Sequence, residues 1–508
     1  MVIVLDGHSL TIKDVVAIAR KKEKVKISPE AKERIKKCRE LVEEKITKKE
    51  IMYGVNTGIG ELSEVLLSSD ELRDFQKYLI FSHAAGTGKP LPEDVVRAAM
   101  LSRINNHCHG RSGLRPVIVE TFVEMLNKGV SPVICEKGSV GACGDLALMA
   151  QMALVPIGLG EAFYKGERLS GKEAMKRAGI PCVIYEARDG LAVLNGSNVI
   201  AGMGTLEVYD AECLLKNSEI VAATTLEVLN ANMMPFDKRL HEVRGYPGAL
   251  ESSENIRTIT AGSELLEKQG KKRVQDAYSL RSTPQVVGSA RDALKWAQSM
   301  FTIELNAAVD NPTFFPEEGI AITGANFQGT PLAFPLELVG TAIATISVIS
   351  ERRINRLMNP HLSMGLPAFL TKRPGVYSGL MITQYTAGAL VCENRILAHP
   401  AATGSISAAA DQEDFVSMGM TTALKTREII DNTQTVLAIE LMAGAQAVDL
   451  RKPLKPSKGV QAAYDVVRKY VDYIDVDRPL YGDIQKVKEI IASGEVLEAV
   501  EEAVGFLK

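Results

Sequence analysis

Long segments in the second half of the chain carry apolar residues every three or four positions, which places them on one face of an α-helix. In residues 338–358, Ile343 and Ile346 belong to such a series, with Ala, Thr and Ser between its members. Small residues there let helix axes approach closely. Residues 377–397 and 405–450 have the same pattern. We therefore predict a mainly α protein built on a long central helical bundle.

The first part of the chain has a different character. Residues 2–5 are predicted to form a short strand, a helix capped by Thr11 follows, and residues 29–47 form a charged helix. Glycine-rich loops then punctuate the sequence, and such loops often carry functional side chains. The 508 residues also exceed a single domain of about 150 residues. We predict a smaller N-terminal α+β domain, residues 1–205, and a helical domain, residues 206–508.

Charge and hydropathy exclude several classes of partner. The chain has 59 Lys and Arg against 62 Asp and Glu, a net charge of −3, so no basic excess is available for nucleic acid. Its apolar stretches near 146–160 and 338–349 are shorter than the ~20 residues of a membrane span. Asp6 and His8 interrupt the apolar start, unlike a signal peptide. We expect a soluble cytoplasmic protein that binds neither nucleic acid nor membrane.

The number and spacing of the cysteines indicate a reducing compartment, and they give no sign of a metal centre. They are odd in number and scattered, which argues against a disulfide framework. No CxxC pair is present, so the usual zinc-binding spacing is missing. The local cluster His107-Cys108-His109 has no second group of ligands at a recognisable spacing. The seven cysteines are Cys38, Cys108, Cys135, Cys143, Cys182, Cys213 and Cys392.

The most informative segment is KGSVGACGDLA. Ala142, Cys143 and Gly144 form a run of small residues before Asp145, which is placed to cap the next helix. In a tight turn the Gly144 nitrogen can attack the Ala142 carbonyl and close a five-membered ring across Cys143. Loss of water, and of the Cys143 sulfur as hydrogen sulfide, would leave an exocyclic methylene. That group is an electrophile, which none of the twenty side chains provides.

This segment resembles the signature of the aromatic amino acid ammonia-lyases, the histidine-directed branch above all. That family cyclises Ala-Ser-Gly into 4-methylidene-imidazol-5-one (MIO). The resemblance implies a fumarase/aspartase-like, mainly helical fold, a homotetramer, and active sites assembled from several subunits. It extends through LDGHSLT, YGVNTGIG, SHAAGTG, LNGSN, VQDAYSLRSTPQ, ELNAAVDNP, GANFQGTP, ERRINRLMNPHLS and DQEDFVSMG.

Cys143 stands where the family has serine. A thiol is the better leaving group of the two, so we expect Ala142, Cys143 and Gly144 still to form MIO. Two alternatives stay open. Cys143 is then either an unmodified residue in a tight turn, or a thiolate nucleophile of a hydrolase or transferase, which requires a base and an oxyanion hole.

The resemblance implies roles for residues around the electrophile. Tyr53 matches the general base that removes the β-proton, which requires its pKa to be lowered from about 10. Arg281 matches the residue that binds the substrate carboxylate, a task suited to a guanidinium group. Asn195 and Tyr278 match residues that hold MIO or the substrate amine. Gln275 and Phe327 match others that line the pocket.

The substrate side chain is indicated by two further positions. His83 and Glu413 match the pair that holds an imidazole, and a phenyl ring would leave Glu413 unpaired. Gln328-Gly329-Thr330 instead resembles the phenylalanine- and tyrosine-directed branch, and Phe415 replaces a histidine that is usual in the histidine-directed branch. We expect a carbon–nitrogen lyase that deaminates L-histidine to urocanate and ammonia. The alternatives are a tyrosine or phenylalanine ammonia-lyase, an aminomutase, and a helical scaffold without MIO.

Overall fold

The computed structural model describes residues 2–268 and 272–508. These residues are mainly helical, which confirms the predicted fold class. The α-helices are Ile12–Arg20, Pro29–Thr47, Ser69–His83, Glu93–His107, Pro116–Lys128, Leu146–Leu154, Gly171–Arg177, Asp189–Leu194, Asn198–Val228, Lys238–Glu242, Pro247–Ile259, Glu264–Glu267, Tyr278–Arg281, Thr283–Leu305, Thr330–Met358, Met381–Leu397, Gly419–Arg451, Lys458–Tyr470, Tyr481–Ala492 and Glu495–Val504.

The strands form small separate sheets. Val2–Leu5 pairs in parallel with Lys24–Ile27, and the other strand pairs within the described residues are antiparallel. A three-stranded sheet has Glu161–Tyr164 between Ser131–Pro132 and Glu167–Ser170. The remaining pairs are Thr87–Pro90 with Cys135–Lys137 and Thr313–Phe315 with Ile320–Ile322.

The predicted N-terminal elements are confirmed. Thr11 caps helix Ile12–Arg20 in a capping box, in which its side chain accepts from the Asp14 amide and Asp14 accepts from the Thr11 amide. Helix Pro29–Thr47 has the predicted bounds, with Ser28 as its N-cap and proline at its first position. Local sequence signals are sufficient here because each cap lies within three residues of the group that it satisfies.

The predicted bounds of two later helices are wrong at their N-terminal ends. The segment predicted as helical over 377–397 begins only at Met381, and that over 405–450 begins only at Gly419. Ala409, Ala410 and Asp411 have positive φ angles, which an α-helix does not accommodate. The small apolar residues in this region therefore belong to an irregular loop.

The described chain forms two compact units. The first contains residues 1–209, 297–337 and 400–424, and the second contains residues 210–296, 338–399 and 425–508. The predicted division after residue 205 stays a prediction.

Each unit has a core that includes buried charges. In the first unit, helix Glu93–His107 is buried from Val95 onward, and Arg103 on this helix is fully buried. In the second unit, the buried Glu440 carboxylate accepts hydrogen bonds from Thr225, Ser350 and Arg353. Burying a charge is costly unless the charge is paired, and here Arg103 pairs with Asp310 while Arg353 pairs with Glu440.

One described helix, Thr330–Met358, is long and apolar enough to cross a membrane by length and composition alone. The sequence-based expectation of no such segment is therefore too strict. In the most apolar window of this helix, 61% of the residues are buried within the protein, as in the core helix of a globular fold.

Candidate active site

The ACG loop, which we define as Ala142, Cys143 and Gly144, is a tight turn in the first unit. Gly141 and Gly144 on either side of its apex form an antiparallel bridge. Cys143 has a φ of 50° and Gly144 a φ of 85°, so both lie in the left-handed region that costs an ordinary residue energy. The turn thus brings the atoms on either side of Cys143 together.

The loop is packed against the backbone of LNGSN. The Gly196 amide donates to the Cys143 carbonyl over 3.0 Å, and the Asp145 amide donates to the Gly196 carbonyl over 3.0 Å. A Cβ atom on Gly144 would lie 2.1 Å from the Gly196 carbonyl carbon. Only glycine fits at this position.

Asp145 supports the site in a way that the sequence did not indicate. Asp145 is the N-cap residue of helix Leu146–Leu154, as predicted, but the prediction that its side chain caps the helix is wrong, because it makes no capping bond. Its carboxylate instead accepts from the amides of Val199 and Ile200, at the start of helix Asn198–Val228, and from the Ser139 hydroxyl. Complete burial raises the Asp145 pKa to about 6. The residue therefore ties the ACG loop to a helix distant in sequence.

Asn195 is held by a polar network that sequence reasoning missed. Its Nδ2 donates to the Asp310 carboxylate over 3.2 Å and to the Asn311 carbonyl over 3.0 Å. Asp310 also forms ion pairs with two fully buried arginines, Arg188 at 2.9 Å and Arg103 at 3.4 Å. Two features of the sequence could have indicated this network: the motif VDNP and the charged residues within otherwise apolar segments.

A cavity of about 500 Å³ in the first unit, which we call the Cys143 cavity, adjoins this loop. Three residues predicted for the site, besides Ala142 and Cys143, line this cavity from segments far apart in sequence: Tyr53, Phe327 and Glu413. Its lining includes Tyr53, Ala142, Cys143, Phe327, Gln328, Glu413, Asp414 and Phe415.

Glu413 and Cys143 are in direct contact. The Cys143 thiol donates to Glu413 Oε1, with 2.9 Å between Sγ and the oxygen. Burial, and then this hydrogen bond and the charge of Glu413, raise the pKa of the Cys143 thiol well above its ordinary value. A thiol with a raised pKa is a poor nucleophile, so this environment argues against the thiolate alternative.

Tyr53 lies in the same cavity, but this chain does not lower its pKa. Burial raises the Tyr53 pKa, and the neighbouring Cys143 and Glu413 raise it further, while the hydrogen bond from Gly60 acts in the opposite direction. The Gly60 amide donates to the Tyr53 hydroxyl oxygen over 3.0 Å. The single chain therefore does not supply the lowered Tyr53 pKa that the role of general base requires.

His83 interacts with the charge of Glu413. Its Nδ1 lies 2.8 Å from the Leu79 carbonyl oxygen, which only accepts, so Nδ1 carries the proton and Nε2 is left as an acceptor. Burial lowers the His83 pKa, and the nearby Glu413 partly opposes this shift. The ring is therefore neutral near pH 7.

Gln275, Tyr278 and Arg281 are not among the residues that line the Cys143 cavity. They lie in the second unit, around a separate cavity of about 870 Å³. The Arg281 guanidinium stacks on the Tyr278 ring at 4.5 Å, and the Tyr278 side chain is largely exposed. These three residues thus form a second cluster with its own opening.

The His107-Cys108-His109 segment is occupied by structural contacts. His107 is buried against the Ser112 hydroxyl, and His109 contacts the Asn306 carbonyl over 3.1 Å. Over residues 2–268 and 272–508, no group of three or more His, Cys, Asp or Glu side chains is arranged to hold a metal ion.

Known proteins share both the sequence and this fold. The sequence model of the family described as aromatic amino acid lyase matches residues 10–469. The chain belongs to this family. A histidine ammonia-lyase of Alkaliphilus oremlandii is 48% identical to this lyase over 502 residues, covering 99% of each chain.

Solved structures agree with this assignment. The histidine ammonia-lyase of Trypanosoma cruzi superposes with a TM-score of 0.93 at 33% identity, covering 99% of this chain and 96% of the other. The tyrosine aminomutase of Streptomyces globisporus superposes with a TM-score of 0.95 at 35% identity, covering 100% of both chains. The predictions of family, fold class and lyase activity are thus confirmed.

Proposed function

We propose that this lyase deaminates L-histidine to urocanate and ammonia. The observation that carries the proposal is the position of the Glu413 carboxylate. It lines the Cys143 cavity, and it is close enough to His83 for its charge to raise the pKa of that ring. Relatives that are 44–48% identical over nearly their full length are named histidine ammonia-lyases. A substrate imidazole can donate an N–H to either His83 or Glu413, whereas a phenyl ring has no such group.

The ACG loop fits the MIO group of this family. The bridge between Gly141 and Gly144 and the positive φ at Cys143 form a tight turn of the kind that closure of a small ring needs. Gly144 also packs closely against Gly196. Ala142, Cys143 and Gly144 would supply the ring, and Asp145 with Gly196 would hold it. When formed, MIO supplies an electrophile that makes the substrate amine a better leaving group.

Tyr53 is the proposed base for the β-proton of the substrate. Its hydroxyl oxygen is held by the Gly60 amide in the cavity that contains Cys143. A phenolate is required for proton removal, and both burial and Glu413 oppose its formation in the single chain. A cation brought close by another subunit would stabilise the phenolate.

Assembly of subunits would supply that cation. We propose a homotetramer in which Arg281, Tyr278 and Gln275 of another copy complete the Cys143 cavity. Arg281 would then bind the substrate carboxylate through its guanidinium fork and lower the pKa of Tyr53. Asn195 and Phe327 would line the remainder of the pocket. Function in the cytoplasm is part of the same proposal.

A tyrosine-directed activity is the second candidate. Gln328 and Phe415 line the Cys143 cavity, and the Thr330 hydroxyl donates to Gln328 Oε1 over 3.1 Å. This wall combines an amide with an exposed aromatic ring, which suits a phenol. Three of the similar solved structures are of tyrosine aminomutase.

Measuring kcat/KM for L-histidine, L-tyrosine and L-phenylalanine decides between the two candidates. Ultraviolet absorbance follows the unsaturated products, and analysis of β-amino acids detects an aminomutase. We expect histidine to be preferred by ~10⁴-fold or more, because an unpaired buried polar group gives discrimination of that order. A higher kcat/KM for tyrosine would contradict the proposal.

A further inference from the structure

Cys143 differs from the serine of related lyases in what it must release. Serine would leave as water, whereas Cys143 must lose its sulfur as hydrogen sulfide. A nearby group must therefore take the Cα proton of Cys143 and donate a proton to the departing sulfur. The contact between the Cys143 thiol and Glu413 Oε1, at 2.9 Å, is the hydrogen bond that the structure gives to this sulfur.

We propose that Glu413 promotes the loss of hydrogen sulfide from Cys143 during MIO formation, in addition to any contact with substrate. This inference rests on the proposed formation of MIO. It follows from the contact of the carboxylate with the Cys143 sulfur, in a partly buried site where proton transfer to bulk water is hindered.

The step balances without an external reagent. A bond forms between the Gly144 nitrogen and the Ala142 carbonyl carbon, and one water is lost. The Glu413 carboxylate then takes the Cα proton of Cys143, the electron pair of that bond forms the Cα–Cβ double bond, and the Cβ–Sγ bond breaks. Sulfur leaves as hydrosulfide with its own hydrogen. Glu413 returns the proton to it, giving hydrogen sulfide and restoring the carboxylate.

Other groups near Cys143 are less suited to this task. Tyr53 has a raised pKa, so its phenolate is scarce in the single chain, and its hydroxyl oxygen already accepts from Gly60. The Asp145 carboxylate is fully buried and is occupied by Ser139 and by two amides of helix Asn198–Val228. Glu413 is the carboxylate that touches the sulfur.

The test follows newly synthesised full-length protein in a cell-free system with a phosphine reductant. A fluorogenic sulfide probe measures sulfide released per chain, and denaturing mass spectrometry follows the intact mass. Cys143→Ser, which has no sulfur to release, gives the sulfide background. Asp414→Asn is the matched control, because Asp414 lines the same cavity and the change removes one charge without touching Sγ.

We expect wild type and Asp414→Asn to release one sulfide per chain as the mass falls by one water and one hydrogen sulfide. Glu413→Gln should release sulfide at least about tenfold more slowly, a modest loss for a general base. Its chains should accumulate at a mass lower by one water only. Glu413→Asp, which keeps a carboxylate, should recover part of the rate.

Two results would overturn the inference while leaving the proposed function intact. One is sulfide release by Glu413→Gln at the wild-type rate. The other is a Glu413→Gln chain whose mass is not lowered at all, which would place the defect before ring closure. A wild-type chain that releases no sulfide and keeps its full mass would instead refute MIO formation itself, and the inference with it.

Discussion

Replacing Gly144 with alanine tests whether the ACG loop depends on close packing against LNGSN. The new Cβ would lie 2.1 Å from the Gly196 carbonyl carbon and 2.3 Å from its oxygen, so the backbone would have to move. Overpacking of this kind costs about 1–3 kcal/mol. The φ of 85° adds roughly 1–2 kcal/mol for a residue with a side chain. We expect a total loss of about 2–5 kcal/mol.

Gly129→Ala is the matched control for this change. Gly129 has a φ of 77°, but a Cβ there meets nothing within 4 Å. Only the conformational cost of roughly 1–2 kcal/mol applies. Urea unfolding followed by circular dichroism compares the two variants, and intact mass reports MIO formation. The reasoning is refuted if Gly144→Ala unfolds at the same urea concentration as Gly129→Ala and still loses water and hydrogen sulfide.

Three further predictions concern single side chains. Tyr53→Phe should keep the lowered mass and bind substrate but lose ~10²–10⁴-fold in kcat, and a loss below tenfold would exclude Tyr53 as the base. Glu413→Gln, assayed after full maturation, should lower kcat/KM for histidine far more than for tyrosine; equal losses would mean that Glu413 does not recognise the ring. Burial raises the Glu227 pKa to about 7, so its stabilising protonated form is lost as pH rises from about 4.5 through 7. Glu227→Gln should therefore gain stability over wild type across that range, by up to ~3 kcal/mol in urea unfolding, and parallel pH profiles would contradict this.

Much of this protein could be predicted because its signals are local. The cap at Thr11 and the helix that begins at Pro29 depend on groups a few residues apart. The small-residue run at Ala142–Gly144 likewise indicated a tight turn, which the structure contains. Motifs also led to Tyr53 and Glu413, and the structure places both in the cavity of Cys143.

The contacts that sequence reasoning missed join distant segments. Asp145 is next to helix Leu146–Leu154, yet it bonds to amides more than fifty residues later. The ion pairs of Asp310 with Arg103 and Arg188 likewise have no local pattern. The Tyr53 pKa depends on the summed effects of burial and neighbouring charges, which a motif does not contain.

The most direct test of the whole account is the mass of the purified wild-type protein under denaturing, reducing conditions. If Ala142, Cys143 and Gly144 form the electrophile of this lyase, the mass is lower than that of the sequence by one water and one hydrogen sulfide. An active protein with the full sequence mass, in which Cys143 still reacts with a thiol reagent after unfolding, would contradict the account.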